Sequence, residues 1–436
     1  MRPRECREIR TVAFEVVEIC AGAGGQALGL ERAGFAHALA VELDKYPVQT
    51  LRENRSQWKV AHGDVADPDV WRPRDYAGVD LFAGGVPCPP FSIAGKQLGA
   101  NDERDLFAWA VEQVVEMKPR AVLLENVRGL SMPRFAAYRQ AVLDRLADSG
   151  YVGDWKLLQA SDYGVPQLRP RFVLVALRET DAPFFQWPAP VAAEDRRTVG
   201  QTLLKLMYAG KWRRAAAWAK AVDKVSPIAP TIVGGSKKHG GADLGPTRAK
   251  QAWRAMHVDA MGLANAAPDR DWGDFRVRPP KLTVEMVSRL QGWDPEWEWN
   301  FAGGKTAQYR QVGNAFPPPL AQAVGESIRK ALDHESEESG ARTLVQRSVH
   351  DDVYRTLREA DGFVTLDQLA ERLASKYSVA ELHERVTGLE RDFEIIRRRK
   401  RSGEAVMLGH FKAFIGQEDH HRHAAFAEAA ARSRIS

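Results

Sequence analysis

The sequence predicts an α/β protein: a doubly wound, mostly parallel sheet, then a separate irregular lobe, then a small C-terminal α+β unit. Three observations carry this. Short apolar runs alternate with helical patterns through the first half of the chain, the rhythm breaks after Leu177, and the polar, acidic stretch His334–Gly340 sets off a smaller unit beyond it. Phe14–Cys20 is the first strand, closed by a glycine-rich turn and followed by a helix through about Ala33. Ala36–Leu43 and Val79–Ala83 are the next strands, and the helical pattern Leu106–Met117 leads to a fourth at Ala121–Leu124. Trp155–Ala160 and Arg171–Leu177 complete the sheet. Ligands of such sheets bind at the C-terminal ends of the strands.

From about Phe184 to Phe275 prolines, glycines and tryptophans fall without steady period, which marks the separate lobe; helical patterns return at Thr283–Gln291 and Pro319–Leu332. The expected division is a core over 12–183 and 276–333, a lobe over 184–275, a linker over 334–348, a small domain over 349–415 and a tail over 416–436. In the small domain Val349–Arg358 is an amphipathic helix, Thr365 caps a second helix, and Ser378 caps a third through about Leu389. Phe393–Arg398 and Val406–Phe411 then form a hairpin across the basic turn Arg399–Gly403. Three helices and such a hairpin are the pattern of a winged helix-turn-helix, with the third helix and the wing facing DNA. Glu381, Glu384 and Glu390 on or beside that helix oppose groove reading, and the alternative is a dimerisation or partner-docking unit.

Composition narrows the class. A chain of 436 residues with 44% hydrophobic and 27% charged residues is long enough for two or three domains and apolar enough to bury a core. No apolar run approaches the roughly 20 residues of a membrane span. The apolar segment near the N-terminus is interrupted by Glu15 and Glu18, unlike a secretory signal. Cys6, Cys20 and Cys88 cannot build a disulfide framework or a four-cysteine zinc site, so a reducing cytoplasmic location and no metal are expected. A net charge of +5 hints at a polyanionic partner.

The chemistry is concentrated at the expected strand ends. Glu18-Ile-Cys20-Ala21-Gly22-Ala-Gly24-Gly25 leaves the first strand and opens a helix, and its glycines let backbone pass close to a nucleoside. The second strand ends in Glu42-Leu43-Asp44, with an acid about twenty positions after the glycines, placed for ribose hydroxyls. Asp64 is placed for an adenine amino group. These marks point to an adenosine-type cofactor. Past the third strand, Gly84-Gly-Val-Pro87-Cys88-Pro89 displays a thiol on a backbone stiffened by proline. The fourth strand ends in Glu125-Asn126-Val127, which pairs an acid with that nucleophile. Gln167-Leu-Arg169-Pro-Arg171 brings two guanidiniums for a carbonyl oxygen or phosphates. Arg289-Leu-Gln-Gly-Trp293 and Gln311-Val-Gly-Asn314 follow.

In order and spacing, over roughly residues 14–330, this set resembles the DNA (cytosine-5)-methyltransferase family of bacterial restriction–modification type. The resemblance implies a Rossmann-like core that uses S-adenosylmethionine. It implies that the Cys88 thiolate attacks carbon 6 of a cytosine, activating carbon 5 to take the methyl group. Glu125 then hydrogen-bonds ring nitrogen 3 and the exocyclic amine. Arg171, with Arg169, clamps the cytosine carbonyl, and Gln167 supports that loop beside the DNA. Cys20, Ala21, Gly22, Gly24, Gly25, Glu42, Leu43, Asp64 and Asn314 become cofactor-site residues. Two positions depart from the family pattern, which often has aromatic residues where Cys20 and Leu43 stand.

The target base must leave the duplex stack to be reached. The segment Ser92–Asp105 fits a closing loop, with hinges at Gly95 and Gly99 and DNA contacts from Ser92, Lys96, Gln97 and Arg104. The lobe stands in the family's target-recognition position. Its basic residues, among them Lys211, Arg213, Lys220, Arg248 and the Lys237-Lys238-His239 loop, suit a phosphate backbone. The tryptophans are read as core. Double-stranded DNA is the implied partner, with a companion restriction endonuclease acting separately. The competing readings are an RNA cytosine methyltransferase and a DNA-binding regulator with a vestigial methylase core.

Overall fold

A computed structural model describes residues 13–86, 104–234, 242–335, 351–360, 362–400 and 403–412. The chain opens with β1 (Phe14–Ile19), α1 (Gly25–Arg32), β2 (Phe35–Glu42), α2 (Lys45–Asn54), β3 (Val60–His62) and β4 (Leu81–Gly84). It continues through α3 (Arg104–Met117), β5 (Ala121–Val127), α4 (Ala136–Ala147), β6 (Tyr151–Gln159) and β7 (Pro170–Arg178). These strands form one seven-stranded sheet in the order β3-β2-β1-β4-β5-β7-β6. The pairs among β1 to β5 are parallel, whereas β7 is antiparallel to both β5 and β6. The chain therefore reverses strand order between β1 and β4, where a doubly wound sheet opens a ligand crevice.

The continuous apolar runs of β1, β4 and β5 follow from burial on both faces. On one face Val17, Phe82 and Val122 pack under Phe107 and Val111 of α3 and Tyr138 of α4. On the other, Val16, Leu81 and Leu123 share a cluster with Leu30 of α1 and Leu320, Val324 and Ile328 of α10 (Pro318–Leu332). Helices α1 and α10 cross so closely that a Cβ at Gly29 would stand 2.5 Å from the Ala321 methyl. Each such Val or Leu withdrawn from water stabilises the fold by about 1.5–3 kcal/mol.

The lobe contains α5 (Val199–Met207), α6 (Ala215–Val225) and α7 (Thr247–Ala255). Helices α8 (Val284–Leu290) and α9 (Lys305–Asn314) follow it in the chain. Its core does not stop at Phe275: Leu203, Trp218, Ile232 and Trp253 join one cluster with Met286, Leu290, Tyr309 and Val312. Trp212, Trp218, Trp253 and Trp293 are fully buried, in line with their reading as core residues.

The C-terminal unit runs α11 (Asp352–Glu359), β8 (Val364–Thr365), α12 (Leu366–Arg372), α13 (Val379–Leu389), β9 (Phe393–Lys400) and β10 (Gly403–Phe411). Thr365 and Ser378 each accept from the backbone N–H three residues on, and Gln368 and Glu381 return the contact in capping boxes. The strands form a three-stranded sheet in the order β8-β10-β9. This unit sits on α4: Ala137 and Ala141 enter its core, and the Phe411 ring meets Tyr138 edge-on at 5.3 Å. Arg358 adds ion pairs to Asp144 at 2.5 Å and Asp148 at 2.9 Å. Among the described residues no helix is long and apolar enough to cross a membrane.

Candidate active site

The C-terminal ends of β1, β2 and β4 open into a cavity of about 340 Å³. The glycine turn is part of its lining. Cys20, Gly22 and Gly24 all have left-handed φ (50°, 55° and 84°), a sharp reversal that only glycine adopts without strain. The turn brings backbone to the cavity, and Cys20, Ala21, Gly22 and Gly25 line it. Gly25 must lack a side chain, because a Cβ there would lie 2.3 Å from the Phe316 carbonyl oxygen. Gly24 is placed differently from its neighbours: it faces away, against Trp299 and Leu51.

Glu42 crosses the cavity wall. The Gly22 N–H donates to its Oε2 at 2.8 Å and the Asp44 N–H to its Oε1 at 2.7 Å, which fixes the carboxylate beside the turn. Burial raises its proton affinity, and those N–H donors oppose the rise. Leu43, Asp64 and Asn314 also line the cavity. Leu43 is 54% exposed, so it forms a rim rather than a buried platform. The donor set fits S-adenosylmethionine: an anchored acid for hydroxyls, a buried acid for an amine, and bare backbone between them.

Glu125 and Gly85 line the same cavity. The Arg171 Nε lies 2.5 Å from Glu125 Oε1, an ion-pair contact with the N–H not aimed along it, and both side chains are nearly sealed from solvent. Register explains the meeting: Glu125 pairs with Val173 and Val127 with Arg171 across β5 and β7, so the two charges occupy one face. Burial raises the Glu125 proton affinity, countered first by Arg171 and then by Arg169. The chain leaving β4 passes the same carboxylate. A Cβ on Gly85 would stand 3.5 Å from Glu125 Oε2, and the Asn126 side-chain amide donates to the Val86 carbonyl at 3.4 Å.

Arg169 and Gln167 correct the sequence reading. Arg169 was expected beside Arg171 on the cytosine carbonyl, but its terminal nitrogens donate to the backbone carbonyls of Ile232 (2.7 Å), Gly313 (2.7 Å) and Ala315 (2.9 Å). Gln167 was expected at the DNA surface, but it is fully buried. Its amide donates to Leu290 O and Gln291 Oε1, and its oxygen accepts from the Ile232 N–H. Both side chains serve orphaned backbone groups between core and lobe, a demand that outweighs surface contact.

Cys88, Ser92, Lys96, Gln97, Lys237, Lys238 and His239 lie outside the described residues, and Arg104 is the first residue of α3. On the lobe, Arg213, Lys220 and Arg248 are exposed, while Arg214 and Lys250 are tied to Asp274 and Asp243. Among the described residues no group of His, Cys, Asp and Glu is arranged to hold a metal ion.

The family model for C-5 cytosine-specific DNA methylase matches residues 14–330. This chain belongs to that family. The methylase uses S-adenosylmethionine to methylate carbon 5 of cytosine in DNA. It is 59% identical over 414 residues to the type II methyltransferase M.NaeI of Lentzea aerocolonigenes, covering 95% of this chain and 98% of the relative. It is 48% identical over 326 residues to the type II methyltransferase M.NgoMIV of Neisseria gonorrhoeae, covering 74% of this chain and 99% of the relative. A solved structure of a Spodoptera frugiperda DNMT2 variant shares the fold, with TM-score 0.50 and 17% identity over 73% of this chain and 100% of that one.

Sequence reasoning missed two supports of the methylase cavity. Glu18, a fully buried lining residue, meets His37 Nε2 at 3.1 Å, and that ring stacks on Trp58 at 4.1 Å. Trp299 donates to the Ala23 carbonyl at 3.0 Å and holds the glycine turn from behind. The Glu18 acid was visible in the motif; Trp299, 276 residues away, gave no local signal.

Proposed function

We propose that this methylase modifies one cytosine within a specific duplex DNA sequence through a covalent adduct on Cys88, as the modification enzyme of a restriction–modification system. Glu125, which lines the cavity and is paired with Arg171, carries this reading. Gly85 passes beside Glu125 and Val86 beside its neighbour Asn126, and Cys88 is two positions beyond Val86. Two residues of chain reach at most about 7 Å, which supports one site for thiol and carboxylate.

In this site the Cys88 thiolate adds to carbon 6 of a flipped-out cytosine. Glu125, its proton affinity raised by burial, hydrogen-bonds ring nitrogen 3 and the exocyclic amine as charge develops there. Arg171, on the same face, holds the cytosine carbonyl. S-adenosylmethionine supplies the methyl group that carbon 5 takes up, after which carbon 5 gives its proton to a base and the carbon 6–sulfur bond breaks, returning the Cys88 thiolate. Glu42 binds the cofactor ribose, Asp64 its adenine amino group, and the backbone of Cys20 to Gly25, with Leu43 and Asn314, encloses it. Arg169 and Gln167 position these groups without touching the base.

The lobe over 184–275 selects the sequence, and Lys237, Lys238, His239, Ser92, Lys96, Gln97 and Arg104 contact the DNA. The type II designation of the Lentzea and Neisseria relatives supports a companion endonuclease acting separately in the cytoplasm. Expression in a host without cytosine methylation, followed by bisulfite sequencing, tests the proposal. One methylated motif is the expected result; unmethylated DNA from folded, cofactor-bound protein would refute it.

A further inference from the structure

The segment Ile232–Gly234 of the lobe is bolted to the wall of the cofactor cavity. Arg169 bridges them, donating from one side to Ile232 O and from the other to Gly313 O and Ala315 O. Gln291 extends the bridge, since its amide donates to Val312 O and Ala315 O while its oxygen accepts from Gln167. The Tyr309 hydroxyl of α9 contacts the Val233 and Asp243 carbonyls at 2.9 and 2.6 Å. Backbone then meets backbone: a Cβ on Gly313 would lie 2.4 Å from Gly234 Cα, and one on Gly234 would lie 2.4 Å from Asn314 Oδ1. Arg310, Gln311, Asn314 and Ala315, at the end of this junction, line the cavity.

A contact of this kind has no slack. Packed glycine backbones and fully engaged carbonyls move together, because moving apart would leave buried groups unpaired. We propose that Arg169 is a positioning residue that couples the two ligands: when the lobe engages DNA, Ile232–Gly234 sets the Gly313–Ala315 wall, and cofactor and duplex each strengthen the other's binding. The coupling is reciprocal, because linkage requires the same factor in both directions. The inference rests on the reading of the lobe as the DNA-selecting element.

The test uses the full-length protein, S-adenosylhomocysteine, and a duplex carrying the motif mapped by bisulfite sequencing. Calorimetry gives the S-adenosylhomocysteine Kd with and without that duplex. In wild type the duplex tightens it by about fivefold or more, within the usual range of allosteric coupling. In Arg169→Lys, which keeps the charge but loses the fork, the ratio falls towards one. Gly234→Ala does the same with Arg169 intact, and it serves where Arg169→Lys fails to fold. A merely structural role would lower thermal stability and leave the ratio unchanged. No coupling in wild type, or full coupling in the folded variants, overturns the inference while methylation stands. Absence of any methylated motif would instead overturn the functional reading beneath it.

Discussion

Glu125→Gln separates chemistry from architecture at the cavity. The substitution keeps the shape of the side chain but removes the charge 2.5 Å from Arg171 Nε. Arg171 is then a buried, uncompensated cation. Breaking such a pair costs about 3–5 kcal/mol, a large part of the roughly 5–15 kcal/mol that holds a typical domain folded. Loss of a positioned acid independently slows the chemical step by about 100-fold or more, equivalent to roughly 2.7 kcal/mol at 1.36 kcal/mol per decade. The two effects are resolved by adding Arg171→Met. Removing both charges relieves the uncompensated cation, so the double variant regains thermal stability, yet its single-turnover rate at saturating duplex stays at or below that of Glu125→Gln. A single-variant rate within about threefold of wild type, on protein shown to be folded, would refute a chemical role for Glu125.

Three further outcomes follow from the same geometry. Cys88→Ser abolishes methyl transfer but not duplex or cofactor binding; a 5-fluorocytosine duplex should crosslink to wild type in the presence of cofactor, and a crosslink that persists in the variant would name a different nucleophile. Burial raises the Glu42 proton affinity, and ribose hydroxyls donating to it favour its anion, so cofactor binding releases a proton at pH values above the ordinary carboxylate range, where the free carboxyl is still protonated, and weakens as pH falls through that range. Calorimetry in buffers of different ionisation enthalpy measures the release, which Glu42→Gln should eliminate along with about tenfold or more of the affinity. Ending the chain at Glu335 uncovers Ala137, Ala141 and Tyr138 and lowers the melting temperature. If the C-terminal unit touches DNA, the shortened enzyme also binds duplex more weakly with a shallower salt dependence, whereas unchanged affinity with an altered oligomeric state assigns the unit to docking.

The site was legible where chemistry is written locally. The glycine turn follows a strand, Glu42 ends one and Glu125 lies two residues before the end of another, and an acid or a tight turn near a strand end is visible within a few residues. Arg169 and Arg171 are two residues apart and alike in sequence. They diverge because Arg169 meets carbonyls 63, 144 and 146 residues away, partners no local pattern contains. Helices α5 to α7 escaped for a related reason. Their apolar residues serve a core shared with α8 and α9, so no single face repeats cleanly, although the Thr198–Gln201 capping box marks the start of α5. In the C-terminal unit, by contrast, caps and alternation are local, and the elements were read within a few residues of their observed ends.

The reversal of β7 governs which lengths of chain this enzyme can tolerate. Were every strand parallel, the mouth of the sheet would be built only from strand exits; the reversed strand brings a strand beginning there, and with it Arg171. Side chains alternate along a strand, so a slip of one residue would carry Arg171 through the sheet and present Phe172 or Pro170 to Glu125. Inserting or deleting one residue within β7 ahead of its register with β5 is thus equivalent to deleting the guanidinium. A change of two residues preserves the parity of the strand and leaves a side chain, though a different one, on the face of Glu125.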